Sequence, residues 1–217
     1  MTSEKFIGEL RNLRNGNSQF AKRHIFELAR KYKAMPTAEV VKLLRSDDYD
    51  QRLGAVSVLD WKARDRKITE QEREKIFKAY LTNHQWIDDW GLVDRAAPYV
   101  VGGYLFGKDR KPLYDLARSK FPMERRTAIV STYYFIRQND IKDTFKIAEI
   151  LVRDENDYVQ MAVGSWIREA GKKDITYLTR FLDKYASIMN RKCLRYAIEK
   201  MDATTKKKYL NECQPLK

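Results

Sequence analysis

Arg126-Thr127-Ala128-Ile129-Val130 lies near the middle of the chain and joins a long polar side chain to small and branched apolar ones. Two other stretches share this pattern, Arg52-Leu53-Gly54-Ala55-Val56 and Gln160-Met161-Ala162-Val163-Gly164. Trp90 and Lys192 fall between and beyond these stretches, so the pattern recurs at intervals of roughly 31 to 38 residues. A period of this length is typical of paired helices that stack into a curved solenoid with one concave face.

The rest of the chain also has helical periodicity. Apolar residues recur at three- and four-residue spacing, and no segment shows the sustained alternation of a strand. We therefore predict an all-α protein, a HEAT-like helical-repeat solenoid that forms a single domain over 1–217. The predicted helices span 4–13, 18–33, 36–45, 49–63, 69–82, 85–90, 92–106, 109–118, 122–138, 140–152, 156–170, 174–184, 189–200 and 203–212.

Local signals mark several helix ends. Pro36 and Pro122 are each predicted to open a helix, because proline suits the first helical turn. Thr69 and Glu72 have the spacing of a capping box, and Gly171 is predicted to end the helix that starts near residue 156.

Charge indicates the class of partner. Lys and Arg number 43 against 30 Asp and Glu, which gives a net charge of +13. Such an excess favours DNA, RNA or an anionic membrane as partner. The longest nearly uncharged run, 96–106, is too short to span a bilayer, and residues 1–13 do not resemble a signal peptide. We therefore expect no membrane association, and nucleic acid becomes the preferred partner.

Cysteine and histidine are too sparse for a disulfide scaffold or a metal centre. The two cysteines, Cys193 and Cys213, indicate reduced thiols in a cytoplasmic protein. His24 and His84 are far apart and have no cysteine cluster near them, so we expect no zinc site. The sequence predicts no metal and no cofactor.

The polar residues of the repeated stretches recur at the same helix position, which predicts that they line one face. Arg52, Arg126, Arg168 and Arg191 are therefore candidates for a basic groove. The alternative is that each arginine caps or solvates its own helix. The run 206–208 of three lysines is interpreted as a solvated helix face, with DNA contact as the alternative.

Trp90 and Asp94 are the candidate reactive residues. On a helix, a spacing of four residues puts the indole and the carboxylate on one face, one turn apart. An aromatic ring beside a carboxylate is suited to holding a cation. The alternative is that Trp90 belongs to the core and that Asp94 is a buried ion-pair partner of Arg95 or Arg126.

A series of longer blocks carries a family resemblance. They are Trp90-Gly91-Leu92-Val93-Asp94, Ala97-Pro98, Val101-Gly102-Gly103-Tyr104-Leu105, Glu124-Arg125-Arg126-Thr127-Ala128-Ile129-Val130-Ser131-Thr132-Tyr133-Tyr134-Phe135-Ile136-Arg137, Ala162-Val163-Gly164 with Arg168-Glu169, and Leu194-Arg195-Tyr196-Ala197-Ile198-Glu199-Lys200. From about Leu28 onward, the chain resembles the AlkD-type alkylpurine DNA glycosylases, bacterial DNA alkylation repair proteins with HEAT-like repeats.

The resemblance implies a monomeric solenoid that cradles duplex DNA, often alkylated, in a concave basic groove. Its catalytic members remove cationic purines such as 3-methyladenine and 7-methylguanine without flipping the base out of the stack. The family carboxylate that matches Asp94 stabilises the sugar cation and orients a water, and the matching Trp90 packs on the deoxyribose. Arg126 matches an arginine that contacts the DNA backbone, and Arg125 precedes it in the same block.

Two departures from the family pattern concern the walls of the site, and a third, at Gly91, is smaller. Ser165 occupies the place of a second tryptophan, and Trp166 follows one residue later, about 100° around a helix. We therefore expect Trp166 to point away from that face. The N-terminal segment is shorter than in the family, and Gly91 stands where an acidic residue is common.

Three functions are compatible with these features. The first is a monofunctional glycosylase for cationic alkylpurines, based on Trp90, Asp94 and Arg126. The second is a non-catalytic paralogue that binds damaged or branched DNA, suggested by Ser165 and the short N-terminus. The third is a HEAT-type scaffold whose basic face meets an acidic protein partner.

Overall fold

The computed structural model describes residues 1–16 and 19–212, and in this part of the chain all regular structure is helical. The prediction of an all-α fold is confirmed. The α-helices are α1 Ser3–Asn15, α2 Lys22–Lys31, α3 Thr37–Leu44, α4 Tyr49–Ala63, α5 Glu70–Thr82, α6 Trp90–Ala97, α7 Gly103–Leu105, α8 Lys111–Ala117, α9 Pro122–Arg137, α10 Lys142–Leu151, α11 Asp157–Gly171, α12 Ile175–Tyr185, α13 Arg191–Ala197 and α14 Ala203–Glu212. A 3-10 turn, His84–Trp86, precedes α6, and a π-helix, Pro98–Gly102, follows it.

The chain forms two compact units, one comprising Met1–Tyr104 and the other beginning at Leu105. The single domain over 1–217 and its concave groove stay predictions. None of the described helices is both long and apolar enough to cross a membrane.

The predicted helices differ most from the structure around Trp90. The segment predicted as a helix over 85–90 is the 3-10 turn, and α6 starts afresh at Trp90. The helix predicted over 92–106 consists of α6, the π-helix and α7. Pro98 has no N–H to donate to the carbonyl four residues earlier, so the ladder of α-helical hydrogen bonds is interrupted there.

Helix α4 is the centre of the first unit. It packs against α2, α3, α5, α6 and the π-helix, and residues 53–60 are all buried. Because apolar residues occupy every side of α4, it can be covered on all of them. Gly54 allows the ring of Phe6 on α1 to lie directly on α4, since a Cβ there would come within 2.5 Å of that ring.

The second unit is built around α9 and α11. Helix α9 packs against α8, α10 and α11, and α11 packs against α10, α12 and α13 as well. Helices α11 and α13 approach each other closely at Gly164, where a Cβ would lie 2.3 Å from the carbonyl oxygen of Cys193. Cys193 itself is a buried free thiol, and Cys213 lies outside the described residues.

Most of the helix-end signals have the predicted effect. Helix α9 begins at Pro122, α11 ends at Gly171, and Pro36 immediately precedes α3. Thr69 accepts a hydrogen bond from the amide of Glu72, as a capping residue should, but the Glu72 carboxylate accepts from Thr37 and Lys62. Only the threonine half of the capping box therefore forms, because the glutamate accepts instead from Thr37 and Lys62 on other helices.

Candidate functional site

Trp90 and Asp94 lie on the same helix, one turn apart. Asp89 caps the start of α6 by accepting a hydrogen bond from the Gly91 amide at 2.7 Å. This cap makes Trp90 the first helical residue, and the helical repeat brings Asp94 beneath it. The Trp90 side chain is 41% exposed, which is incompatible with a place in the core, while Asp94 is half-buried.

A cation lies beside the exposed indole. The ammonium of Lys22 is 5.8 Å from the centroid of the Trp90 ring and 5.5 Å from that of Tyr49. Lys22 also donates to the Tyr49 hydroxyl at 3.5 Å, and that hydroxyl donates to Asp89 at 3.1 Å. We call Lys22, Tyr49, Asp89 and Trp90 the indole cluster.

Sequence reasoning missed Lys22 and Tyr49, although Tyr49 had a recognisable signal. Asp48-Tyr49 and Asp89-Trp90 are both an aspartate followed by an aromatic residue, and in both pairs the aspartate caps the helix that the aromatic residue begins. The two repeats therefore place Tyr49 and Trp90 at the same helical position. Lys22 comes from a different helix, α2, and no spacing in the sequence relates it to Trp90.

The environment of Tyr49 favours its neutral form. Burial, together with the negative charge of Asp89, raises the pKa of Tyr49 to about 12. The phenol therefore remains a hydrogen-bond donor to Asp89 across the physiological pH range.

Because Gly91 has no side chain, there is room beside it for Asp89 and Tyr49 of the indole cluster. A Cβ at this position would lie 2.9 Å from Oδ1 of Asp89 and 3.0 Å from the Tyr49 hydroxyl. A glycine here is therefore compatible with the bond between Tyr49 and Asp89, and a larger residue would push the two apart.

Arg95, the neighbour of Asp94, is anchored to the core of the first unit. Its guanidinium lies 2.8 Å from Asp60 and donates to the Ser57 hydroxyl at 3.0 Å. Asp60 is fully buried and also accepts two hydrogen bonds from Arg64. Burial lowers the pKa of Arg95, an effect that the Asp60 carboxylate opposes.

Arg52, a candidate for the basic groove, is engaged within the first unit. It donates to the carbonyl groups of Ser46 and Asp47 and lies 3.2 Å from Asp88. Its side chain is only 11% exposed. These contacts fit the alternative in which the arginine stabilises the start of its own helix.

Three more candidate arginines are engaged within the second unit. Arg125 donates from Nε and Nη2 to the two oxygens of the nearly buried Asp154 carboxylate. Arg126 is buried and donates to the carbonyl of Tyr158, and Arg168 is paired with Glu199.

Arg191 differs from these arginines. It is exposed in the first turn of α13, and no ion pair joins it to another residue in the described part of the chain. Its neighbour Lys192 is paired with Asp157. Of the lysines at 206–208, Lys208 is paired with Asp183.

Trp166 packs within the second unit. Its ring centroid is 4.9 Å from that of Tyr133 on α9, with an angle of 39° between the planes. Ser165 and Trp166 are both half-buried. The tryptophan that follows the altered family position therefore has an aromatic partner of its own.

The comparisons with known proteins agree with this architecture. The sequence model of the DNA alkylation repair enzyme family matches residues 18–201, which is most of the chain. No curated protein and no solved structure gives a significant match. Because the family match covers most of the chain, the protein belongs to the family of DNA alkylation repair enzymes.

Proposed function

We propose that this protein is a DNA glycosylase that hydrolyses the N-glycosidic bond of cationic alkylpurines, such as 3-methyladenine and 7-methylguanine, in duplex DNA. The observation that carries the proposal is the placement on α6 of Asp94 one turn from an exposed indole that already has a cation, Lys22, beside it. Membership of an alkylation repair family supports the choice of substrate.

The reaction needs little from the protein, because alkylation has already weakened the bond. The base leaves as a neutral purine with the bonding electron pair, and positive charge passes to the sugar ring. In the proposed reaction, Asp94 stabilises this cation and orients a water, whose oxygen bonds to C1′ while its proton passes to solvent. The face of Trp90 takes the deoxyribose in a cation–π contact.

Lys22 has a part in this scheme. Its ammonium shows that a cation is accommodated beside the indole, at 5.8 Å from the ring centroid. A sugar on that face needs the lysine to leave, and Lys22 is exposed at the start of α2. In the proposed complex, its ammonium moves to a phosphate of the bound DNA.

The test is base release from duplex DNA that carries 7-methylguanine. Asp94→Asn keeps the shape of the side chain but removes its charge, and we expect release to fall by about a hundredfold or more while DNA affinity is retained. Asp47→Asn, an exposed aspartate of the same unit, serves as the matched control and should release base like the wild type. Equal release by the wild type and Asp94→Asn would refute the proposal.

A second candidate function is a non-catalytic protein that binds damaged or branched DNA. It is favoured by Ser165, at the position of the second family tryptophan, and by Trp166, which packs on Tyr133. This function predicts no base release by the wild type together with retained, salt-sensitive DNA binding. A titration that shows equal affinity for damaged, branched and plain duplex would count against it.

A further inference from the structure

A furrow of about 400 Å³ lies between α10 and α12 in the second unit. Both helices pack on α11, and they meet through the rings of Phe145 and Phe181, whose centroids are 5.9 Å apart. None of its lining residues belongs to α6 or to the arginines predicted to contact DNA. The furrow is therefore a separate surface feature, beyond the function proposed above.

The floor of the furrow is aromatic. Phe145 lies against Tyr177 at 5.6 Å as well as against Phe181, and the two phenylalanines are only 6% and 5% exposed. Because these two rings are nearly buried and pack on one another, the phenylalanines offer an apolar surface rather than open ring faces. A nucleobase needs such an open face to stack on, whereas an apolar side chain does not.

The rims of the furrow are basic. Lys142 and Lys146 are one turn apart on α10, and Arg180 and Lys184 are one turn apart on α12. The lining contains one acid, Glu149, which is 3.6 Å from Lys184.

Three of these four cations are not in an ion pair with another described residue. Lys142, Lys146 and Arg180 form no ion pair with any residue that the structure describes. Two rows of cations spaced at one helical turn match carboxylates that have the same spacing on another helix.

We propose that this furrow docks an acidic amphipathic helix of a partner protein. The apolar stripe of such a helix lies on the aromatic floor, and glutamates or aspartates on both sides of the stripe pair with the rims. This is the helix-in-groove mode of recognition, in which apolar anchors supply affinity and complementary charge supplies orientation. A single strand of nucleic acid meets the rims equally well, but it places polar base edges on the apolar floor.

The probe for the test is a fluorescein-labelled helical peptide with leucines along one face and glutamates on both sides of it. Its binding to the full chain is measured by fluorescence anisotropy, beside a scrambled peptide of the same composition. We expect the amphipathic peptide to bind more tightly than the scrambled one. The double variant Lys146→Glu/Arg180→Glu should weaken that binding by about tenfold or more.

Two further variants separate the furrow from general charge attraction. Lys173→Glu/Lys207→Glu makes the same change of charge at exposed lysines elsewhere in the second unit and should bind the peptide like the wild type. Tyr177→Ala changes no charge and should still weaken binding severalfold, because part of the floor is lost. Circular dichroism confirms that each variant keeps the helical content of the wild type.

Three results would overturn the proposal. The first is equal affinity of the wild type for the amphipathic and the scrambled peptide. The second is equal weakening of peptide binding by the two double variants. The third is loss of binding to a labelled single-stranded oligonucleotide in Lys146→Glu/Arg180→Glu with unchanged peptide affinity, which would assign the furrow to nucleic acid.

Discussion

Tyr49 connects the parts of the indole cluster that come from different helices. Its hydroxyl accepts from Lys22 on α2 and donates to Asp89, the cap of the helix that carries Trp90. Both partners are charged, but the bond to Asp89 is the shorter, 3.1 Å against 3.5 Å, so it is the main fixed contact of this phenol. Tyr49 is therefore a positioning residue for Trp90.

The raised pKa of Tyr49 gives a pH-dependent prediction. Its value in the folded protein, about 12, is above the ordinary value of 10.0, so folding favours the neutral phenol. This contribution to stability is fully present below pH 10 and is lost as the pH rises toward 12. The difference in tyrosinate absorbance between the wild type and Tyr49→Phe should therefore titrate near 12. A difference that titrates near the ordinary value would show that the phenol is not held by Asp89.

Asp60 is expected to be the most sensitive charge of the first unit. Its carboxylate is fully buried between Arg64 and Arg95, and Asp60→Ala leaves the largely buried Arg95 without its counter-charge. We expect a loss of about 3–5 kcal/mol in the free energy of unfolding, measured by urea denaturation.

The control for Asp60 is an exposed ion pair. Asp115 is paired with Lys111 on the surface of α8, and both side chains are more than half exposed. Asp115→Ala should cost about 0.5 kcal/mol or less, since water screens such a pair. Similar costs for the two variants would mean that Arg95 finds another partner when Asp60 is removed.

At the scale of helices, the sequence predicts which helices are present better than it predicts the residues at which they begin and end. The all-α character and most of the helices follow from local spacing of apolar residues, which depends only on neighbours in sequence. The break before Trp90 depends on Asp89, and its capping bond to Gly91 was not anticipated. The π-helix after α6 follows from Pro98, whose effect inside a helix depends on how the surrounding helices accommodate it.

Close helix packing makes Gly164 a sensitive position. A Cβ there would lie 2.3 Å from the backbone oxygen of Cys193 and 2.7 Å from Cβ of Tyr196, so α13 has to move away from α11. We expect Gly164→Ala to lower the free energy of unfolding by about 1–3 kcal/mol. Thermal or urea denaturation measures this loss.

Gly8 is the matched control for Gly164. It lies inside α1, and a Cβ there would meet no atom within 4 Å. Gly8→Ala should stabilise the protein by about 0.5–1 kcal/mol, because alanine loses less conformational freedom on helix formation. A stabilising effect of Gly164→Ala as well would show that α11 and α13 can separate without cost.

At the scale of the whole molecule, the 43 lysines and arginines outnumber the cations that are free to bind DNA. Arg52, Arg125 and Arg168 each bind a carboxylate of their own unit, and Arg126 donates to a backbone carbonyl. A paired arginine has to exchange its partner before it can neutralise a phosphate. Unpaired cations such as Arg191 should therefore dominate the electrostatic part of DNA binding.

Two arginine variants should differ in how strongly their DNA affinity depends on salt. If Arg191 contacts a phosphate, Arg191→Ala should reduce the slope of log affinity against log salt concentration by about 1. Arg168→Ala should change the slope less, because Glu199 already balances its charge. Binding of duplex DNA, titrated over a range of salt concentrations, measures both slopes. Equal reductions would mean that Arg168 leaves Glu199 when DNA binds.

By itself, the sequence determined the all-α class, the repeat and the placement of Trp90 and Asp94 on one helical face. These features depend on residues a few positions apart, where the helical period decides geometry. Tertiary structure decided which partners the charged side chains contact. Arg52 meets Asp88 across 36 residues of sequence, and Arg125 meets Asp154 across 29. Lys22 reaches Trp90 from another helix. Such pairs form only when helices distant in sequence pack together, because a charge chooses its partner by distance in space.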